Sequence, residues 1–236
     1  MAIRKIIKSD GKEYSVRTDR SRFFYPPEWI KFQNSFGKLT KNKKLATLSE
    51  RNYLLFRTLL FTGGRINEIT HIKFIDFDYD RNLLRLMVTK TKAKKGEKVG
   101  KPRTIRVPNK LIKEIKLYRN KTRKGLNDYV FMDKENPGEK EFDKLNKNIY
   151  QILRRRLRAI GIDEKEFGLH NIRKTTGNWL KAQRVAAEEI CTILGHDFDT
   201  YLSHYGSPNV FDRTDLIMIE DIFGQEYFNA VRGERR

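Results

Sequence analysis

The hydrophobic positions of "TLSERNYLLFRTLLFTGG", residues 47 to 64, recur at steps of three and four, which predicts an amphipathic helix stopped at Gly63-Gly64. A short helix over "RINEITHI" is expected next. The period then shortens. "DFDYDRNLLRLMVTK", residues 76 to 90, reads as a turn and a strand. "PRTIRVP", residues 102 to 108, reads as a second strand, with Ile105 and Val107 alternating against Arg106. Pro108-Asn109 opens another helix, "NKLIKEIKLYRN". "DYVFM", residues 128 to 132, is a short apolar run read as a strand, and residues 142 to 229 are mostly helical with short breaks. Residues 1 to 45 are polar, basic and irregular, except for "FFYPPEWIKF", where Pro26-Pro27-Glu28 marks a helix start. There is no internal repeat. The expected fold is α+β and mainly α-helical, with one small antiparallel β-sheet. The expected organisation is a basic N-terminal extension over residues 1–45 and one domain over residues 46–236.

Composition supports a folded chain and narrows its partners. Hydrophobic residues make up 38% of the 236, with 15 Phe and 10 Tyr, enough to bury a core. No apolar run is long enough to span a membrane, and the first 20 residues lack a signal-peptide core, so an intracellular protein without a membrane role is expected. The single cysteine, Cys191, excludes an intramolecular disulfide, and its place beside Ile190 and Leu194 reads as a small buried hydrophobe. The 50 Lys and Arg against 30 Asp and Glu leave a formal charge of +20, which favours a polyanion, with nucleic acid the foremost choice.

That charge is concentrated between the two strands. "KTKAKKGEKVGKPRTIR", residues 90 to 106, carries Lys90, Lys92, Lys94, Lys95, Lys98, Lys101, Arg103 and Arg106 against Glu97 alone. Gly96 and Gly100 lend its tip flexibility. A solvated loop would have this composition, and so would a finger laid along phosphates, which would bind by counterion release.

Three further stretches suggest chemistry on a phosphate. In "TGGRINEI", Arg65 stands at a helix start, where backbone N–H groups and a guanidinium together suit an anion. Glu68, three residues on, offers an ion pair that orients Arg65. "HNIRK" sets His170 and Arg173 on one helical face, a proton carrier beside an oxygen-neutralising cation. "ILGHDFDTYLSHYGSP" supplies His196, Tyr201 and Tyr205; a phenol becomes a competent nucleophile only where cations stabilise its anion.

Taken in order, Arg65, Lys90 in "VTKTK", His170 and Arg173, His196 in "LGHD", and Tyr205 nine residues later resemble the tyrosine recombinase family of phage integrases and Xer-type recombinases. The resemblance runs over about residues 45 to 225. It implies a site-specific DNA recombinase, an integrase of a mobile element or a Xer-like dimer resolvase, cutting DNA through a covalent 3′-phosphotyrosine. Tyr205 is implied as nucleophile, Arg65 and Arg173 as the grip on the non-bridging oxygens, and His170 as acid/base. His196 is implied as a phosphate neighbour and Lys90 as proton donor to the departing 5′ hydroxyl. Lys92, on the same strand face, remains open for that last role, and Tyr201 competes with Tyr205.

DNA-binding is implied for Lys92, Lys94, Lys95, Lys98, Lys101 and Arg103. The resemblance further implies a double-stranded DNA recombination site as partner, a homo-tetramer on two sites, no cofactor or metal, and a cytoplasmic, nucleoid-associated location. The family's C-terminal helix docks on a neighbouring protomer; "NVFDRTDLIMIEDIFGQEYFNAV" would do that or pack on its own domain. Relatives carry a larger N-terminal clamp than the roughly 45 residues before the pattern. A type IB topoisomerase-like nicking-closing enzyme and a non-catalytic basic DNA-binding protein are the alternatives.

Overall fold

The computed structural model describes residues 3–7, 13–17, 22–37, 43–87, 102–165, 167–205 and 210–233. Helix α1 (Pro26–Asn34) is followed by the 20-residue α2 (Lys43–Thr62), the short α3 (Ile66–Thr70) and a single 3₁₀ turn over Phe74–Asp76. Three antiparallel strands form one sheet in chain order: β3 (Phe77–Asp78), β4 (Leu83–Leu86) and β5 (Arg103–Arg106). An antiparallel pair near the N-terminus, β1 (Ile3–Ile7) and β2 (Glu13–Arg17), precedes them. After the sheet come α4 (Asn109–Thr122), α5 (Glu139–Ala159), α6 (Leu169–Ala182), α7 (Ala187–Leu194), α8 (Phe198–Tyr205), α9 (Arg213–Phe223) and α10 (Gln225–Val231). The segment between β4 and β5 that holds Lys90, Lys92, Lys94, Lys95, Lys98 and Lys101 lies outside the described residues.

Helices α2 and α6 form the centre. Leu55, Leu59, Leu60 and Phe61 of α2 are buried, and so are Ile172, Thr176, Trp179 and Leu180 of α6. Because α6 is enclosed nearly all round, its hydroxyls must find internal acceptors. Thr176 Oγ1 donates to the Leu60 carbonyl at 2.6 Å, a bond that sets the two helices in register. Thr175 Oγ1 accepts the Phe24 N–H at 2.9 Å, and Trp179 Nε1 donates to the Phe24 carbonyl at 3.0 Å.

Those bonds tie part of the N-terminal segment to α6. Residues 22–25 lie across α6, and α1 sinks Trp29 and Phe32 into the same core, with Phe32 edge-on to Phe56 at 5.1 Å. The aromatic run "FFYPPEWIKF" therefore packs on the α6-centred body. The β1–β2 pair was not anticipated.

"DYVFM" is the other departure. Only Tyr129 forms a β-bridge, to Lys73, while Val130 and Phe131 are core residues. Lys124 Nζ donates to the carbonyls of Tyr129 (3.2 Å) and Met132 (2.7 Å), groups that a strand would have paired with a neighbour.

At the C-terminal end, Ile219, Phe223, Tyr227, Phe228 and Val231 are buried. Phe223 meets Phe61 edge-on at 4.9 Å, so α9 and α10 pack on their own domain, one of the two arrangements the sequence left open.

Candidate active site

The site begins where α2 stops. Gly63 takes a left-handed conformation (φ +57°), and a Cβ there would lie 2.3 Å from Leu194 Cδ2. Glycine is required twice over, by the backbone and by the close approach of α7. The reversal turns the Gly63 carbonyl toward α6, where Arg173 Nη1 donates to it at 2.6 Å.

Arg173 is almost wholly enclosed. Its Nη2 donates to the Leu194 carbonyl, and its Nε donates to His196 Nε2 at 3.2 Å. The C-terminal carbonyls of a helix lack intrahelical partners and carry partial negative charge, so the end of α7 suits a guanidinium. Gly195, again left-handed at φ +64°, ends α7, and the His196 N–H returns to the Cys191 carbonyl at 3.0 Å. The turn thereby delivers His196 onto Arg173. Since the guanidinium donates, His196 Nε2 acts as acceptor and the ring proton is assigned to Nδ1. Arg173 and His196, 23 residues apart in sequence, thus meet directly.

Arg65 lies two residues beyond Gly63, and about half of its side chain is open to solvent. Its Nη1 pairs with Glu68 Oε1 at 3.1 Å, the orientation that the i, i+3 spacing suggested. The Arg65 N–H donates to Glu68 Oε2 at 2.9 Å. The start of α3 is therefore occupied by its own carboxylate, and α3 has only 5 residues. The helix start expected to help bind an anion is thus taken up by Glu68.

Glu68 is itself buried and gripped from a second side. Arg103 Nη1 and Nη2 reach Oε1 and Oε2 at 3.2 and 2.9 Å, a bidentate pair, while Arg103 Nε donates to the Ile193 carbonyl at 3.1 Å. Burial opposes ionisation of Glu68, but the hydrogen bonds and charge of Arg103, with the Arg65 amide and charge, outweigh it and hold the carboxyl below its usual range. Arg103 was expected among the phosphate contacts. Its guanidinium instead turns inward, and the strand pattern explains why: it shares the parity of the buried Ile105 and Val107, opposite the exposed Thr104.

His170 is exposed in the first turn of α6. A pocket of about 370 Å³ opens beside it, lined among others by Tyr150, Lys165, Phe167 and Lys174. Burial lowers the affinity of Lys174 for its proton. Asn171 lies between His170 and Arg173 and carries a role that the spacing alone does not suggest. Its Oδ1 accepts the Gly168 N–H at 2.9 Å and its Nδ2 donates to the Arg22 carbonyl at 2.6 Å. It caps α6 and straps the N-terminal segment to it, a role that Asn near a helix start often takes.

Tyr201 and Tyr205 both lie on α8, one turn apart. Tyr201 is buried at 8% exposure, and burial raises its phenol further above the ordinary value. The side chain of Tyr205 lies outside the described residues, as do Lys90 and the hairpin lysines. Cys191 is partly buried against the core, its Sγ 3.9 Å from the Asp197 carbonyl. Among the described residues, no three His, Cys, Asp or Glu side chains are grouped to hold a metal ion.

Residues 33–210 match the phage integrase family. The chain belongs to that family. Among curated relatives, tyrosine recombinase XerA of Pyrococcus furiosus is 26% identical over 218 residues, covering 83% of this chain and 71% of the relative. Tyrosine recombinase XerA of Thermococcus kodakarensis is 26% identical over 148 residues, covering 62% of this chain and 47% of the relative. Among solved structures, a XerH site-specific recombinase bound to a palindromic difH substrate superposes with a TM-score of 0.59 at 19% identity, covering 89% of this chain and 52% of that one. The Tn1549 transposon integrase with transposon right-end DNA gives 0.58 at 16%, covering 90% and 68%. The fold is that of tyrosine recombinase catalytic domains, mainly helical with a small antiparallel sheet. The chain spans about half the length of the XerH chain and of the second XerA relative. No described helix is long and apolar enough to cross a membrane.

Proposed function

We propose that this phage integrase family member is the catalytic part of a site-specific DNA recombinase acting through a tyrosine nucleophile. The observation that carries the reading is Arg173, enclosed by the Gly63 and Leu194 carbonyls and hydrogen-bonded to His196. Enclosing a cation costs solvation, and a site that developing negative charge enters repays it in the transition state.

In this reading Arg65 and Arg173 neutralise the non-bridging oxygens of one phosphodiester. The Tyr205 hydroxyl, deprotonated in the step, attacks phosphorus. The bond to the 5′ oxygen breaks, and Lys90, or Lys92 beside it, protonates that oxygen as it leaves. His170 serves as acid/base and His196 holds the phosphate side of Arg173. The 3′-phosphotyrosyl bond conserves the energy of the phosphodiester, so attack by another strand's 5′ hydroxyl reseals DNA and regenerates the phenol. The basic hairpin, with Lys92, Lys94, Lys95, Lys98 and Lys101, runs along phosphates. The active species is a tetramer on two double-stranded sites, in the cytoplasm and associated with the nucleoid. Integration for a mobile element and Xer-like dimer resolution are both compatible with the family.

The test is a pool of nicked duplexes with a randomised centre, from which covalently captured DNA is recovered and sequenced. Capture of one recurring sequence, followed by strand exchange between two copies of it, is the expected result. Relaxation of any supercoiled plasmid would favour a topoisomerase-like enzyme, and absence of capture would leave a DNA-binding protein.

A further inference from the structure

The chain of contacts around Glu68 runs further than phosphate binding by Arg65 requires. We propose that Arg103 is a positioning residue for strand cleavage: through Glu68 it fixes how Arg65 is presented, and through the Ile193 carbonyl it fixes the end of the helix that delivers His196 and anchors Arg173. The inference rests on the recombinase reading of the site and adds to it a residue that touches no DNA.

Its side chain is 11% exposed, so it presents almost nothing to a ligand. All three nitrogens of its guanidinium are engaged inside the protein, two on Glu68 and one on Ile193. A planar fork held at three points has one orientation, and the carboxylate it grips has one orientation in turn. That carboxylate is the same one that holds both the amide and the guanidinium of Arg65. Ile193 and Leu194 are consecutive, and their carbonyls receive Arg103 and Arg173 respectively. One helix end is thus shared between the residue proposed to grip phosphate and the residue proposed to position.

Gly195 completes the arrangement. A Cβ there would meet Arg103 Nη1 at 3.1 Å, Cζ at 3.2 Å and Cδ at 3.3 Å, so the guanidinium packs directly on the turn that leads to His196. Arg103 is also the first residue of β5, so that strand starts on this network. A surface ion pair would do none of this.

The charged groups set against Glu68 among the described residues are Arg65 and Arg103. Removing the Arg103 charge leaves burial opposing ionisation with less to offset it, so the carboxyl titrates at higher pH. Its hold on Arg65 requires the carboxylate, and cleavage should then fail earlier on acidification.

The experiment measures single-turnover cleavage at saturating captured duplex, across pH, for wild type, Arg103→Lys, Arg103→Gln, Glu68→Gln and the Arg103→Gln/Glu68→Gln double variant. Duplex affinity is measured in parallel. Affinity is expected to hold within about twofold, because the residue faces inward. Cleavage by Arg103→Gln should fall on the order of 10²-fold, the scale of a misplaced catalytic group. Arg103→Lys, which keeps charge but cannot grip bidentately, should fall less. The acidic limb should move to higher pH in Arg103→Gln and be absent in Glu68→Gln, and the double variant should be no slower than the slower single. Wild-type rate and pH profile in both Arg103 variants would overturn the inference, and so would losses that multiply in the double variant. If Arg103→Gln does not fold, an unchanged rate in Arg103→Lys overturns it alone. A wild type that captures no duplex would instead sink the recombinase reading.

Discussion

Replacing Gly63 by alanine is the smallest change that reaches the site through the backbone. Two separable costs follow from the geometry. The left-handed backbone at φ +57° disfavours any Cβ by about 1–2 kcal/mol. The new methyl would lie 2.3 Å from Leu194 Cδ2, and Leu194 is fully buried, so it has nowhere to swing. Overpacking of that kind costs about 1–3 kcal/mol. The total, roughly 2–5 kcal/mol, is a large share of the roughly 5–15 kcal/mol a domain commands. The second cost depends on Leu194 and the first does not. Urea unfolding of Gly63→Ala, Leu194→Ala and the pair should therefore show a coupling of about 1–3 kcal/mol, the double variant being more stable than the sum of its parts predicts. Leu194→Ala alone should cost about 2–5 kcal/mol. Because the Gly63 carbonyl also holds Arg173, cleavage by folded Gly63→Ala should drop while DNA affinity stays. A Gly63→Ala stability within about 0.5 kcal/mol of wild type, or strict additivity with Leu194→Ala, would refute this reasoning.

Further outcomes follow from other parts of the structure. Arg173→Ala should lower cleavage far more than DNA affinity, by about 3 kcal/mol of transition-state stabilisation; gel-shift and single-turnover data falling in parallel would contradict the role. Neutralising Lys94, Lys95 and Lys98 should reduce the slope of log affinity against log salt by up to about 3; an unchanged slope excludes the hairpin from phosphate contact. Trp29→Ala should destabilise the whole domain by about 3–5 kcal/mol in a single unfolding transition, and a purely local effect would contradict a shared core. His71, stacked on Phe142 at 3.6 Å, is pushed by burial below its ordinary value of 6.5. Its neutral form is the folded one, so its stabilisation is present above pH 6.5 and lost as pH falls through the depressed value. Urea midpoints on either side of that range should differ less in His71→Gln than in wild type.

The helix stop and the Arg65–Glu68 pair were readable because their spacing is local. Gly63-Gly64 stops a helix, and Glu68 follows Arg65 by one turn; each depends on a few neighbouring residues. What the sequence hid depends on burial. Arg103 looked like one more cation in a basic run, although its parity with Ile105 and Val107 placed it on the inner face. The N-terminal aromatic run could not reveal that its backbone pairs with Thr175 and Trp179, about 150 residues away. "DYVFM" has the composition of a strand, but a single lysine side chain serves the carbonyls that a strand would have shared. The β1–β2 pair was hidden among flanking charges, although Ile3, Ile6 and Ile7 and then Tyr14 and Val16 are strand-forming residues.

The central claim is that one phenol on α8 becomes joined to DNA. The most direct measurement is mass spectrometry of the peptide left on a captured duplex after proteolysis and nuclease digestion. A nucleotide remnant on Tyr205, lost in Tyr205→Phe and kept in Tyr201→Phe, is the predicted result. A remnant on Tyr201 or any other residue, or capture that persists in Tyr205→Phe, would contradict it.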